Sequence, residues 1–167
     1  SGESQWITGP AARGDVQRLR AMSCAIVTGV GTVLSDDCSL TVRPEELGLD
    51  DEAAALAGQR QPLRAVLDSQ LRTPAGAKIL SLAAPTVLFH SNGCSIPESL
   101  DSCVERLHGL TSSARGLDLT EMVNELSRRQ CNEILVESGP RLAGALLQAG
   151  LLDELIIYMA PLLLGHN

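Results

Sequence analysis

Short apolar runs alternate along this chain with stretches of helical periodicity, and that alternation predicts an α/β layer rather than a bundle or a sandwich. Five runs read as strands: Ala25 to Gly29, Leu63 to Leu67, Thr86 to His90, Ile134 to Val136 and Leu155 to Ala160. Pro10 opens a helix that runs to about Met22, with Gly9 as N-cap and proline at the first position, where its missing N–H is harmless. Leu117 to Arg129 repeats Leu119, Met122, Val123 and Leu126 on one helical face. Arg141 to Ala149 reads as another helix. After the first strand, Gly29-Val30-Gly31 breaks the run, Thr32 to Leu34 makes a short turn, and Ser35-Asp36-Asp37 closes it. Pro44 to Gln61 is polar and Ala-rich, a solvated loop or surface helix, and the most dispensable stretch. No internal repeat interrupts the order. The expectation is a single open, mostly parallel sheet with flanking helices.

Composition narrows the chemistry. The 167 residues suit one domain, and 44% apolar against 20% charged residues disfavours disorder. Aromatics are confined to Trp6, Phe89 and Tyr158, so no stacking platform for bases is available. The formal charge of -7 repels a phosphate backbone, and nucleic acid is not an expected partner. Among the 13 cations only Lys78 is a lysine. Arginine suits bidentate grip on phosphate, although a GC-rich genome produces the same bias. The apolar runs are shorter than the roughly 18–20 residues of a membrane span, and no signal sequence opens the chain. Cys24, Cys38, Cys94, Cys103 and Cys131 are scattered without a C-x-x-C pair, and His90, His108 and His166 share no spacing. Neither a disulfide framework nor a metal site is expected, and a reducing cytoplasm fits best. Ser1 begins in polar text and Asn167 closely follows an apolar stretch, which suggests a piece of a longer protein.

Open parallel sheets bind ligands beyond the carboxyl ends of their strands, and polar residues gather there. Gly29-Val30-Gly31 lacks the third glycine of a dinucleotide fingerprint, because Leu34 stands in its place; it is a tight turn or part of a cofactor loop. Gly139-Pro140-Arg141-Leu142-Ala143-Gly144 has the outer spacing of a P-loop, but Ala145-Leu146 replaces the required Lys and Ser or Thr. A strand running into Gly-Pro and a helix still presents free N–H groups and the positive end of a helix dipole, suited to an anion such as a pyrophosphate. A plain strand-to-helix turn is the alternative. Asp36 and Glu137 each follow a strand, where carboxylates can share proton transfer or bind a polar heterocycle, though Asp36 also suits a turn. No Gly-x-Ser-x-Gly elbow occurs.

Several segments in order resemble the riboflavin-biosynthesis reductase family. They are Ser1 to Thr8, Ala25 to Asp37, Leu40-Thr41-Val42-Arg43, Gln61 to Ser69, Val136-Glu137-Ser138-Gly139-Pro140 and Asp153 to Pro161. The resemblance implies a dihydrofolate-reductase-like α/β fold and NADPH-dependent reduction of 5-amino-6-(5-phosphoribosylamino)uracil to its ribitylamino product. It implies substrate positions at Ser4, Arg20, Leu40, Arg43 and Glu137, with Arg20 and Arg43 gripping the sugar phosphate. It implies cofactor positions at Trp6, Thr32, Asp36, Ser69 and the segment Gly139, Pro140, Arg141, Leu142, Ala143, Gly144 and Ala145. Glu137 is the first candidate for orienting the pyrimidine or moving protons, and Asp36 the second. The parent of this reductase domain is expected to carry a zinc deaminase, but no H-x-E with P-C-x-x-C signature lies in this chain. The apolar strand with a lysine that usually precedes Ser1 in the family is absent. We expect a homodimer formed through the sheet edge or terminal segments. The rival readings are another dihydrofolate-reductase-like reductase of pyrimidines or pterins, and an inactive nucleotide-binding fragment.

Overall fold

The computed structural model describes residues 9–114 and 116–160, apart from the side chains at 101 and 103–105. Five parallel strands form one sheet: β1 (Ala25–Gly29), β2 (Leu63–Leu67), β3 (Thr86–Ser91), β4 (Leu107–Leu110) and, after a two-stranded ribbon of β5 (Ser112–Ser113) and β6 (Gly116–Leu117), β7 (Ile134–Val136). Their spatial order is β4-β3-β2-β1-β7, so β1 pairs with β2 on one side and β7 on the other. Successive side chains alternate between two buried faces. Ile26, Val66 and Leu88 pack on one face with Val33, Leu71 and Ile79. Ala25, Val27, Ala65 and Phe89 pack on the other with Met122, Leu126 and Leu146. Burial on both faces is why these strands read as continuous apolar runs.

Helix α1 (Pro10–Met22) begins at Gly9 with Pro10 in its first turn. Helix α2 (Val30–Asp36) occupies the place where a short turn was expected. Two valines and a glycine in seven residues weaken helix propensity, but Val30 and Val33 are buried and packing supplies what propensity lacks. Helix α3 (Asp51–Gln59) is capped by the Asp50 side chain and has no buried residue. The wider Pro44 to Gln61 stretch is less dispensable than its composition suggests. Leu47 is 1% exposed, and Gln61 brackets Val42 through both its N–H and its carbonyl. Helix α4 (Leu119–Arg128) starts two residues later than its periodicity predicts, because Leu117 pairs in β6 and the Asp118 carboxylate caps the Glu121 N–H. Helix α5 (Pro140–Gln148) follows β7.

One expected strand is replaced by another. Leu155 to Ala160 belongs to no sheet among the described residues, and Leu155, Ile157 and Met159 are exposed. β4 takes the fifth place instead. Leu107-His108-Gly109-Leu110 has no β-branched residue and hence little strand propensity, yet β3 offers it a complete edge to pair with. The 155–160 run has the propensity, but no described strand offers it hydrogen bonds.

A side-chain hydrogen bond ties that run to α1. Tyr158 donates its hydroxyl to Asp15 Oδ2 at 2.6 Å. Burial, and then the adjoining Asp15 carboxylate, push the phenol up to about 12. The folded state therefore holds this proton more tightly than the unfolded state, whose phenol titrates near about 10. The resulting stabilisation is complete below about pH 10 and is lost as the pH climbs through about 12. Tyr158 is the only tyrosine, so an alkaline absorbance titration reads it alone. The expected midpoint is about 12, and Asp15→Asn should bring it toward 10. A midpoint insensitive to Asp15→Asn would remove that contact as a cause.

Candidate active site

Because every strand of the main sheet runs the same way, the carboxyl ends of β1, β2 and β7 emerge at one edge, where α2 and α5 begin. A cavity of about 970 Å³ opens there. At its centre, the last turn of α1 meets the end of β7. Glu137 extends the β1·β7 ladder by donating its N–H to Val27 O at 2.9 Å, which fixes the backbone from which its carboxylate projects. Arg20 grips that carboxylate with two bonds, Nε to Oε1 at 2.6 Å and Nη2 to Oε2 at 2.8 Å, while Nη1 donates to Thr41 O at 3.0 Å. Burial lowers the Arg20 guanidinium, but the bonded Glu137 carboxylate more than offsets this and the net direction is upward. Both side chains line the cavity.

The strap from Cys38 to Arg43 crosses beside this pair. Leu40 lines the cavity with φ +47°, in the left-handed region a leucine adopts only when surrounding contacts hold it. The holding contacts are visible: Arg64 Nη1 donates to Ser39 O at 3.0 Å, Val42 is bracketed by Gln61, and the Arg43 N–H donates to Gln17 Oε1 at 2.9 Å. Arg64 is fully buried, and its Nη2 also donates to Ser81 O and Ala84 O. Burial, helped by the charge of Arg106, holds its guanidinium down at about 10, still protonated at neutral pH. Cys38 lines the cavity too. Burial pushes its thiol up and the Asp36 and Glu137 carboxylates push the same way, which keeps it a thiol at neutral pH.

The start of α5, two residues past Glu137, is suited to an anion. Gly139 caps α5 in extended conformation with no side-chain cap bond, and Pro140 follows in the first turn, so the first N–H groups of the helix remain open. A Cβ at Gly139 or Gly31 would meet no protein atom within 4 Å, so neither glycine is demanded by packing and both leave the backbone open to close approach. Arg72 and Arg141 add positive charge along the same cavity in an otherwise acidic chain. This donor set fits a dinucleotide pyrophosphate.

Of the residues proposed from the sequence, Arg20, Leu40 and Glu137 line the cavity, as do Thr32, Asp36 and Ser69. From the α5 segment, Gly139, Pro140, Arg141, Leu142 and Ala145 line it, whereas Ala143 and Gly144 are not among its lining residues. Ser4 and Trp6 lie outside the described residues. Arg43 is not in the lining, and its guanidinium pairs with Glu46 at 2.9 Å. Arg20, read as a phosphate grip, has its charge committed to Glu137 instead. Sequence reasoning missed Arg72 and Cys38. Arg72 follows the end of β2 by five residues, counting from Leu67, and the rule that strand ends carry ligand contacts points to it.

The Arg20 and Glu137 side chains are 12% and 24% exposed, so the pair is neither a surface contact nor fully desolvated. Arg20→Leu should cost about 2–4 kcal/mol in urea unfolding because it leaves the carboxylate unpaired. The double variant with Glu137→Gln should recover about 1–3 kcal/mol relative to the sum of the single changes. Additive costs would mean the two groups are not energetically coupled.

Residues 1–167 match the family model of the RibD C-terminal domain. The chain is 48% identical over 173 residues to the riboflavin biosynthesis protein RibD of Escherichia coli (strain K12), covering 100% of this chain and 45% of that protein. It is 33% identical over 172 residues to the 5-amino-6-(5-phosphoribosylamino)uracil reductase of Buchnera aphidicola subsp. Acyrthosiphon pisum, covering 100% of this chain and 80% of that one. Among solved structures, RibD of Acinetobacter baumannii in its form 1 matches with a TM-score of 0.76 at 40% identity, over 99% of this chain and 42% of the other. The chain thus spans less than half the length of these RibD proteins and most of the Buchnera reductase. Its parallel sheet with flanking helices is the dihydrofolate-reductase-like fold of such reductases. With the family model matched from end to end and such relatives on either side of it, this chain belongs to the RibD C-terminal domain family.

Proposed function

We propose that this chain reduces 5-amino-6-(5-phosphoribosylamino)uracil to 5-amino-6-(5-phosphoribitylamino)uracil with NADPH, a step of riboflavin biosynthesis. The observation that carries the reading is a cavity lined both by an anion-suited helix start and by the Arg20–Glu137 pair. Similarity to a relative named as this reductase supplies the substrate. In the longer RibD relatives this region accounts for under half the protein, which is consistent with a parent that carries a zinc deaminase as well. The apolar row of Leu155, Ile157 and Met159 favours a homodimer in which it is covered.

When bound, NADPH would supply the hydride for C1 of the sugar. The N–H groups at the start of α5 would hold its pyrophosphate, and the Thr32 and Ser69 hydroxyls in the same cavity would contribute further hydrogen bonds. Glu137 accepts from the N–H groups of the pyrimidine, and Arg20 keeps its carboxylate in one orientation. For C1 to accept a hydride the ribosylamine must open to a C=N group, its N–H proton being passed to the ring oxygen as the C–O bond breaks, and one further proton must be supplied to the nitrogen as the C–H bond forms. Glu137 and Asp36 are the carboxylates in the cavity able to move those protons. Leu40 packs against the pyrimidine and excludes water. Arg43 binds the sugar phosphate. Its pairing with Glu46 is half-exposed, a kind of contact worth only about 0–1 kcal/mol, so a dianionic phosphate displaces the glutamate readily.

Loss of NADPH absorbance on adding the phosphoribosylamino substrate to the full-length protein tests the assignment. Glu137→Ala should lower kcat/KM by about 100-fold or more, and Arg43→Ala should raise KM by about 10-fold with a smaller effect on kcat. Absence of substrate-dependent oxidation by the unaltered protein would overturn the reading. Trp6 is the only tryptophan, and its fluorescence should be quenched by NADPH; an unchanged signal at saturation would remove Trp6 from the cofactor site.

A further inference from the structure

We infer that Cys24 and Cys131 form a reversible oxidation site, closed to a disulfide by a peroxide and reopened by thiols, whose closure pins the last strand of the sheet to its neighbour β1. The pair lies at the amino ends of the strands, away from the cavity, and is independent of the substrate the cavity takes.

The fold brings these cysteines together across 107 residues of chain. Cys24 stands immediately before β1 and Cys131 shortly before β7, and the two strands run side by side in the same direction. Backbone bonds close the junction, because the N–H groups of Cys24 and Ala25 both donate to Glu133 O, at 2.8 and 3.2 Å. On the other side the chain leaves α4 through Gln130 at φ +62°, and the Cys131 N–H donates back to Leu126 O at 3.0 Å. That turn aims the Cys131 sulfur at β1, where Sγ lies 4.0 Å from Cys24 O. The N–H groups of Glu133 and Asn132 in turn bond the Cys24 sulfur, so it rests against the residue that follows Cys131. Both are free thiols in the structure, within reach of each other by side-chain rotation.

The two sulfurs differ as such a reaction requires. Cys24 is half-buried, and the N–H groups of Glu133 and then Asn132 hold its thiol below the ordinary value. The Arg60 guanidinium, anchored beside it by donating to Ser23 O at 3.2 Å, pulls the same way. A partly exposed sulfur held toward its thiolate is the nucleophile that oxidants find first. Cys131 is only 8% exposed, and burial, followed by the charge of Cys24, pushes its thiol up. It meets solvent poorly and Cys24 well. Cys38 faces the cavity with its thiol raised by burial, and Cys94 is bonded to Ser95 O at 3.6 Å within its own loop, so neither has this setting.

Closure takes two steps. The Cys24 thiolate attacks hydrogen peroxide, an S–O bond forms as the O–O bond breaks, and the departing hydroxide takes up the proton the thiol had released, leaving a sulfenic acid and water. Cys131 gives up its proton and attacks that sulfur, an S–S bond forms as the S–O bond breaks, and the second hydroxide takes this proton and leaves as water. Two thiols and one peroxide thus become one disulfide and two waters, the sulfurs being oxidised and the peroxide reduced. A small thiol such as glutathione reverses the link by exchange. The bond joins the start of β1 to the segment leading into β7, the strand that positions Glu137. A link across so long a loop removes freedom from the unfolded chain and so favours the finished sheet. The cavity, at the carboxyl ends of the same strands, stays open.

Peptide mapping tests the site without relying on turnover. The full-length protein is treated with hydrogen peroxide, its remaining thiols are blocked with N-ethylmaleimide in denaturant, and tryptic peptides are read by mass spectrometry. Trypsin releases Cys24 within 21–60, together with Cys38, and Cys131 within 130–141, so fragmentation assigns the bond. The expected product is these two peptides joined through Cys24 and Cys131, two hydrogens lighter than their sum and separated by dithiothreitol. Cys24→Ser should leave Cys131 a thiol open to maleimide, and Cys131→Ser should leave Cys24 a sulfenic acid trapped by dimedone. Oxidation should raise the melting temperature of the unaltered protein by about 5–10 °C, with no such rise in either serine variant. The unaltered protein alone decides the pairing: Cys24 and Cys131 recovered only as separate thiols or separately oxidised residues would overturn it. A link that forms without raising the melting temperature would overturn the pinning of β7.

Discussion

The bond between Arg20 and Glu137 is where the parts of this molecule become one site. It spans 117 residues of chain and joins three pieces: the end of α1, the strap through the carbonyl of Thr41, and the end of β7. A lysine could match the charge but not the connection. Only a planar fork can hold a carboxylate with two parallel bonds and spend a third donor on a separate carbonyl. Partial burial strengthens the attraction between the two groups, and attachment of Glu137 to the β1 ladder limits where its carboxylate can swing.

Arg64 plays the same part in the layer below with no carboxylate at all. A fully buried cation that bonds three carbonyls has exchanged hydration for backbone dipoles, and the exchange is worthwhile only if those carbonyls stay put. It therefore ties the strap to the segment between β2 and β3 and helps hold Leu40 in its left-handed conformation. Polar residues inside the structure do positioning work that apolar packing, being non-directional, could not do.

Much of the fold was legible from the chain. Strands buried on both faces announce themselves as apolar runs, which is why β1, β2, β3 and β7 were found, and Gly9-Pro10 marks the start of α1 by its backbone chemistry alone. β4 was hidden because an edge strand takes its hydrogen bonds from a neighbour whatever its own propensity. Leu155 to Ala160 misled for the converse reason: β propensity is a preference of side chains, while a strand also needs a partner. In the site, the helix start at Gly139 was readable because glycine, proline and a preceding strand are local signals. The pairing of Arg20 with Glu137 was not, since nothing local relates two residues on opposite halves of the chain, and Arg20 looked like a cation free to bind phosphate. Arg72 was overlooked because only the fold brings it to the cavity, a matter of position that composition does not carry.

The strand order has a further consequence in time. β1 meets β2 after one crossover, and β3 and β4 add outward in sequence, so four strands can assemble as the chain emerges. β7 comes last and must return past all of them to reach the other side of β1, a long closure of the kind that slows folding. Glu137 and the start of α5 arrive only with it. A partly folded chain can hold a sheet and most of a hydrophobic core, yet it has no ligand cavity. Anything that binds there recognises the finished state alone, and its affinity adds by mass action to the stability of the completed fold and to none of its precursors.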